Sequence, residues 1–549
     1  MKRIITVFSI ALGLLSVGAC DKFLDVNPEG NPTTTTYFTN DQQAIDAIDY
    51  LYARFHQEAM FGREIFWEQG GANQVVWGKT RGYSTLATLE YKGSESPLEG
   101  NFKQCCGGMA NANFVIKKLT EKAAKQALTA IETRSLGEAY FMRAFYHFYI
   151  AYRYGTKAQG VPFIAWEATE GDYDNSIPPQ LASVTDNYAA IIADLKKAEE
   201  LLPSFEEYGA NDRGRAHKAA AVGYMAKTYA YWATWDKAQW DNVITCVNTL
   251  ETTYHRGLAP SFSQLFSCEF SDFWTKEYLW SIPGNGGANG GGSEFPGVCL
   301  ENKGWGIYNG WGQHKPSYDT YEEMAKDNVG GVKNERLART ILEYGDEFMF
   351  NGEKRSFFSS SDIESGFMIN KWMAPFGKAD MTGTGYVNTN GDWPTARVNF
   401  HILRFADCLL LRAEAYLNAT KPDPGKALID INAVRTRANL APAASATMAQ
   451  IYHERFCELA FEPADHLADV KRWAVSGAAD VKALAIKELT THPRARHYAD
   501  RSNPESSFTI GDYEDYKTQK VWDDHKVVFP YPSTQITLSG GKLKQNAGY

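Results

Sequence analysis

His401 to Trp473 reads HILRFADCLLLRAEAYLNAT, a KPDPG turn, KALIDINAVRTRANL and, after a short alanine-rich link, TMAQIYHERFCELAFEPADHLADVKRW. In the first segment Ile402, Phe405, Ala406, Leu409, Ala413, Tyr416 and Leu417 recur at three- and four-residue spacing, which predicts one apolar helix face. Asp423 before Pro424 has the form of an N-cap followed by proline in the first turn, where a missing N–H costs nothing. The helix that follows turns Ala427, Leu428, Ile431 and Val434 inward. Thr447 with Gln450 three residues on has capping-box spacing and opens a third helix, with Met448, Ile451, Phe456 and Leu459 inward. Small residues lie where such helices must approach, so the pattern predicts paired helical hairpins of a tetratricopeptide-like kind.

Helical text recurs upstream. Thr39 and Gln42 share the capping-box spacing ahead of Ala44, Ile48, Leu51, Tyr52 and Phe55. Residues 134–155 are apolar nearly all round (Leu136, Tyr140, Phe141, Ala144, Phe145, Phe148, Tyr149), which predicts a helix buried among others. Leu181–Leu202 and His217–Thr234 supply a further pair, and the irregular spacing makes the repeats degenerate. Two stretches break the texture. Phe61 to Leu98 is rich in glycine and aromatics without a helical period, hence loop or short strand. Leu258 to about Trp393 is Gly-, Asn- and aromatic-rich, and a long non-repetitive insertion of this kind is usually functional.

The chain opens Met1-Lys-Arg, then an apolar run from Ile4 to Val17, too short to span a bilayer comfortably, ending Val17-Gly18-Ala19-Cys20. Small residues before a cysteine form a lipobox. Cleavage there leaves Cys20 for acylation, and several acyl chains on one residue anchor firmly. Residues 1–19 are therefore read as a lipoprotein signal peptide, and the remainder as lying outside the inner membrane. Seven cysteines remain after Cys20, an odd and scattered set that includes the adjacent Cys105-Cys106, so disulfides are not expected to form the framework.

Several of these stretches resemble one family. RFADCLLLRAEAYLN, VRTRANL and ERFCELAFE with the later RW are similar to the C-terminal helical block of the SusD/RagB family. CDKFLDVNPEG at residues 20–30, GEAYFMRAFYHFYIAYRYG with GVPFI, and the tail VVFPYPSTQITLSGGKLKQNAGY extend the likeness over most of the chain. The resemblance implies a mainly α fold, a degenerate tetratricopeptide-like α–α superhelix carrying a loop-rich, aromatic-rich insertion. It divides the mature chain into an N-terminal region (20–257), the insertion (258–395) as candidate ligand face, and a C-terminal block with its tail (396–549). It further implies a lipid-anchored outer-membrane protein, exposed at the cell surface, that holds nutrient glycans for a SusC-like TonB-dependent transporter.

Composition narrows the alternatives. An apolar share of 44% with 22% charged residues is ordinary for a globular protein, and 549 residues provide ample core. The formal charge of −9 becomes −11 once Lys2 and Arg3 leave with the signal peptide. Without a Lys/Arg cluster such a chain is a poor nucleic-acid binder. Enzyme motifs are missing. His453-Glu454-Arg455-Phe456-Cys457 has Cys where a zinc-binding H-E-x-x-H helix needs its second imidazole, so structural ion pairing is the reading favoured for Glu454 and Arg455. Gly284–Gly292 lacks the Lys-Ser/Thr of a phosphate loop, and no G-x-S-x-G elbow occurs. No catalytic group, metal or cofactor is expected.

The aromatic share, 13% with 14 Trp and 30 Tyr, needs a destination. Trp67, Trp77 and Tyr83 lie in the first non-helical stretch with Asn73 and Arg81 between them. Trp305, Tyr308 and Trp311 lie in the second, before His314 and after Trp274 and Trp280. Flat rings match the C–H faces of sugars, and Asn and Arg match their hydroxyl rims. Those eight residues, Trp67, Asn73, Trp77, Arg81, Tyr83, Trp305, Tyr308 and Trp311, are the candidate ligand contacts. The competing readings are a peptide-binding RagB-like nutrient lipoprotein, a lipid-anchored glycoside hydrolase, and a scaffold without a small ligand.

Overall fold

The computed structural model describes residues 38–62, 71–77, 84–163, 165, 179–267, 269–284, 314–350, 353–357, 365–372, 398–463, 465–513 and 519–549. Asn40, rather than Thr39, caps the first helix, α1 (Asp41–Ala53), by accepting from the Gln43 N–H at 3.0 Å. The expected Thr39–Gln42 pairing is displaced by one residue: Thr39 instead donates to the Gln43 amide from its backbone and hydroxyl. Ala44, Ile48 and Leu51 are buried as the spacing required. The helix expected from Arg134 begins earlier, as α3 (Ala130–Tyr154), because Thr129 and Glu132 form a complete capping box. It is buried on nearly every face. Its charged members are paired, Arg143 gripping Asp194 with bonds of 2.8 and 2.5 Å.

Between them lies α2 (Ser96–Ala123), which polar residues and three glycines hide from a periodicity reading. Its first three residues, Ser96–Leu98, fall in the stretch expected to lack helix. Gly108 is there because α2 presses on α3: a Cβ at that position would sit 2.4 Å from the Tyr146 ring. From α2 onward each helix packs on the next, through α3, α4 (Val184–Leu201), α5 (Lys218–Trp232) and α6 (Trp240–Thr252). The chain then leaves the stack. It returns at α9 (Phe405–Asn418), which takes the next place by packing on α5 and α6 and then on α10 (Pro424–Arg437). The caps of α10 and α11 (Met448–Glu458) fall at Asp423 and Thr447 as the sequence predicts. Helices α12 (His466–Ser476) and α13 (Ala479–Thr490) complete the C-terminal block. Cys105 and Cys106 are free thiols on α2, not a bonded pair.

One expectation for the C-terminal block is overturned. Ile402 does not belong to a helix face, since Phe400–Arg404 is strand β8 and the helix starts only at Phe405. All five strand residues are buried, and a fully buried strand has the same continuous apolar text as a buried helix. β8 pairs antiparallel with β2 (Tyr278–Ile282), so the insertion leaves and rejoins the stack through adjacent strands. Among the described residues of the insertion are two short α-helices, α7 (Tyr318–Ala325) and α8 (Glu335–Thr340), and small antiparallel ribbons, among them β4 (Ile341–Glu343) with β7 (Phe367–Ile369). One continuous apolar core runs from Phe38 to Leu543. Trp280 plugs it, its ring 4.7–4.9 Å from those of Phe55, Phe141 and Phe145 in edge-on contacts.

A buried charge network joins insertion to C-terminal block. Arg404 uses every guanidinium N–H: on Glu462 (2.7 and 2.9 Å), Glu277 (2.7 Å), Glu458 (2.7 Å) and the Glu458 carbonyl (2.8 Å). Arg437 bridges Glu277 and Glu458. Arg336 and Arg435 share Glu454 and Asp327, and Lys371 holds Glu462. His453 lies between Glu323 at 2.7 Å and Asp327 at 3.0 Å. Among the described residues this set holds four arginines, Lys371 and His453 against six carboxylates, and Lys326 adds a further cation on Glu323 at 2.5 Å. Burial alone would lower the His453 pKa, but Cys457, Asp327 and Glu323 outweigh it and push it well up. Burial likewise opposes ionisation of Glu458, but Arg437, Arg404 and Arg336 hold its carboxyl at about 2.

Candidate ligand-binding face

The two non-helical, aromatic-rich stretches meet in one ribbon. β1 (Val75–Trp77) pairs antiparallel with β3 (His314–Pro316), in the register Val75↔Pro316, Val76↔Lys315 and Trp77↔His314. Because the strands are antiparallel, the chain leaving Trp77 and the chain arriving at His314 do so at the same end.

This ribbon is held from behind by the C-terminal block. The backbone N–H of Asn73 donates to Glu488 Oε1 (2.8 Å), its Nδ2 to Thr491 Oγ1 (2.8 Å), and its Oδ1 accepts from Lys520 Nζ (3.0 Å). Gln74 Nε2 donates to the Phe456 carbonyl at 3.1 Å. The Gln74 carbonyl accepts from the Ser317 N–H (3.0 Å) and from Thr320 Oγ1 (2.8 Å). Lys520 Nζ also reaches the carbonyls of Gly71 and Glu488, each at 3.1 Å. Glu488 in turn accepts from Tyr452 Oη at 2.7 Å and lies 3.1 Å from His466 Nε2. Burial raises the Glu488 carboxyl, but His466, Tyr452 and the Asn73 N–H bring it below its usual value. The Lys520 ammonium, walled off from water, falls to about 8, with Glu488 and Asp319 opposing the burial.

Of the eight candidate contacts, Asn73 is turned inward, 5% exposed, with both side-chain polar atoms engaged by the protein. Polar character in a glycine-rich loop suggested a ligand contact; here it supplies a support. Trp77 ends β1, opposite His314. Trp67, Arg81, Tyr83, Trp305, Tyr308 and Trp311 lie outside the described residues. Trp274 packs against Phe205 and Tyr278, and Trp280 is core. The supports Lys520, Glu488 and Thr491 carry no local signal that pairs them with residue 73, four hundred residues away.

Glu454 and Arg455 enter ion pairs as expected, though not with each other: Glu454 with Arg336 and Arg435, Arg455 with Asp407 and Asp469. Among the described residues no group of three or more His, Cys, Asp or Glu side chains is arranged to hold a metal ion, and no helix is long and apolar enough to cross a membrane. An open cavity of about 390 Å³ lies beside the start of the insertion, floored by Phe55, Trp280 and Pro283. Its rim charges are already matched, Arg215 meeting Asp49 at 2.8 Å and Asp212 at 2.7 Å.

The sequence model of the SusD family matches residues 276–549, starting two residues before β2, and the model described as starch-binding, associating with outer membrane, matches residues 22–230. The chain belongs to the SusD family. A SusD-like protein of Bacteroides ovatus is 26% identical over 466 residues, 82% of this chain and 80% of the relative. The crystal structure of a SusD-like protein from Bacteroides fragilis matches with a TM-score of 0.71 at 19% identity, covering 93% of this chain and 98% of that one. Surface glycan-binding protein A from Bacteroides uniformis matches with a TM-score of 0.66 at 20% identity, covering 92% and 100%. The helical stack interrupted by a ribbon-rich insertion is thus the SusD-like fold.

Proposed function

We propose that this SusD-like chain is a cell-surface lipoprotein, anchored through Cys20, that captures an oligo- or polysaccharide and passes it unaltered to a SusC-like TonB-dependent transporter. The observation that supports the reading is the β1–β3 ribbon, which pairs three residues of one glycine- and aromatic-rich stretch with three of the other. The glycan would lie across the end of that ribbon. Trp67, Trp77, Tyr83, Trp305, Tyr308 and Trp311 offer rings to sugar C–H faces, and Arg81 offers paired N–H donors to hydroxyls. Asn73 keeps a supporting role.

A delivery protein must release what it holds. Two or three stacked rings with hydrogen bonds suit a micromolar to millimolar Kd, roughly −8 to −4 kcal/mol. Calorimetric titration of the protein lacking residues 1–20 against a panel of poly- and oligosaccharides tests this, with Trp77→Ala, Trp305→Ala and Trp311→Ala alongside. Heat with one glycan class, ligand recovered intact, and about a fivefold loss in at least one variant is the expected result, the size of one stacking contact. Silence across the panel, or cleaved ligand, would overturn it. Co-purification of the full chain with a TonB-dependent barrel tests the delivery step.

A further inference from the structure

We propose that the cavity of about 390 Å³ floored by Phe55, Trp280 and Pro283 is a further carbohydrate site, one that takes a single uncharged sugar unit. This rests on the glycan-binding reading above and extends it to a place apart from the ribbon. Three separate parts of the chain build the cavity: α1 and the turn after it with Tyr52 and Phe55, the link between α4 and α5 with Asn211 and Arg215, and the end of β2 with Trp280 and Pro283. No residue of β1 or β3 lines it. Its volume falls in the lower part of the roughly 300–1,000 Å³ usual for small-molecule sites.

The chemistry of the lining selects the occupant. Phe55, Trp280 and Pro283 give the floor an apolar surface, which the C–H face of a sugar ring can cover. Trp280 is 1% exposed, and its indole N–H has no hydrogen-bond acceptor among the described residues. An indole nitrogen only donates, and a buried donor left unmet is uncommon, so a ligand that satisfies this one brings an oxygen as well as an apolar face. A hydrocarbon brings no oxygen. Charged ligands are disfavoured too. Arg215 directs Nη2 to Asp49 (2.8 Å), Nε to Asp212 (2.7 Å) and Nη1 to Glu138 (3.4 Å), and Arg134 meets Asp212 at 3.3 Å. Neither an anion nor a cation therefore finds an uncommitted counter-charge. Tyr52 Oη is engaged as well, donating to Glu138 at 3.1 Å and accepting from the Ala216 N–H at 2.8 Å. At the rim the exposed Asn211 offers an amide, donor and acceptor at once, which suits ring hydroxyls.

The test follows the tryptophan indole N–H lines of the protein lacking residues 1–20 by ¹⁵N NMR, with the methyl glycosides of glucose, galactose, mannose and xylose as probes and glucuronate as the anionic control. Loss of one line in Trp280→Phe identifies the line to watch. Ala53 is exposed, ends α1 and lines the cavity, so Ala53→Phe puts a ring into the space from its exposed side. Circular dichroism checks each variant. The expected result is a downfield shift of the Trp280 line with at least one glycoside, at a Kd on the order of 1 mM. Glucuronate should bind at least about tenfold more weakly, since no counter-charge awaits it. Ala53→Phe should abolish the shift, and Asn211→Ala should weaken binding about fivefold, the loss of one hydrogen bond. Should Trp280→Phe not fold, saturation transfer from protein to glycoside in wild type, Ala53→Phe and Asn211→Ala carries the test. No shift with any glycoside, a shift that survives Ala53→Phe, or equal binding of glucuronate would overturn the proposal. Polysaccharide binding in calorimetry without any glycoside effect at Trp280 would overturn this site alone. A Trp280 shift with silence across the polysaccharide panel would keep the site and overturn the proposed function instead.

Discussion

Replacing Arg404 by methionine removes the most heavily bonded cation in the buried network while keeping an apolar side chain of similar reach. Breaking a buried ion pair from one side costs about 3–5 kcal/mol, because the stranded charge remains where water cannot reach it. Here every stranded carboxylate keeps a second cation: Glu277 and Glu458 keep Arg437, and Glu462 keeps Lys371. The expected loss is therefore at the lower end, about 3 kcal/mol, with one cation fewer to share among the same carboxylates. The pH dependence carries the sign. Glu458 is held near 2 in the folded protein against a usual 4.5, so its contribution is present above about pH 4.5 and lost as pH falls toward 2. Without Arg404 that depression shrinks, so the gap between wild type and variant should be widest near neutral pH and narrow on acidification. Thermal shifts report this poorly, since a chain this long moves only about 1 °C per kcal/mol. Urea unfolding followed by tryptophan fluorescence and circular dichroism together is the suitable assay, with coincident transitions required. A loss under about 1 kcal/mol, or a gap that widens as pH falls, would refute the reasoning.

Gly108→Ala drives a Cβ to 2.4 Å from the Tyr146 ring and should destabilise by about 1–3 kcal/mol. Gly107→Ala, which meets only the flexible end of Arg54 at 2.9 Å, should be neutral or stabilising by up to about 1 kcal/mol; urea midpoints of the two variants check the contrast. Lys520 titrates near 8 when folded against 10.5 unfolded, so between those values the unfolded chain holds a proton that the folded one has released. Its contribution to stability should therefore rise with pH across that window, by at most about 1.4 kcal/mol per unit, and Lys520→Met should flatten the wild-type slope measured at pH 8, 9 and 10.

The helical faces were legible because burial on one side of a helix leaves a period in the chain. Ala44, Ile48 and Leu51 on α1 and Ala427, Ile431 and Val434 on α10 are buried where that period puts them. β8 was not, because a strand buried on both faces has no alternation to betray it. The charge network was equally hidden. Glu458, Arg437 and Arg336 have the text of solvated helix residues, and only tertiary packing removes them from water. For the candidate site, glycine and ring content marked the two stretches that contain β1 and β3, but not the pairing of those strands or the residues packed behind them. Asn73 shows the limit: residue type can mark a polar group in a loop without telling whether it faces ligand or scaffold.

The β2–β8 pairing bears on how such a fold tolerates an insertion. Entry and exit of the insertion lie one strand spacing apart, about 5 Å, so the helical stack sees only a closed loop whatever its length. The charges at Arg336, Lys371 and Glu277 nevertheless commit part of that loop to the C-terminal block. Changes of length inside the insertion therefore leave the stack undisturbed only where Glu277, Arg336 and Lys371 keep their partners.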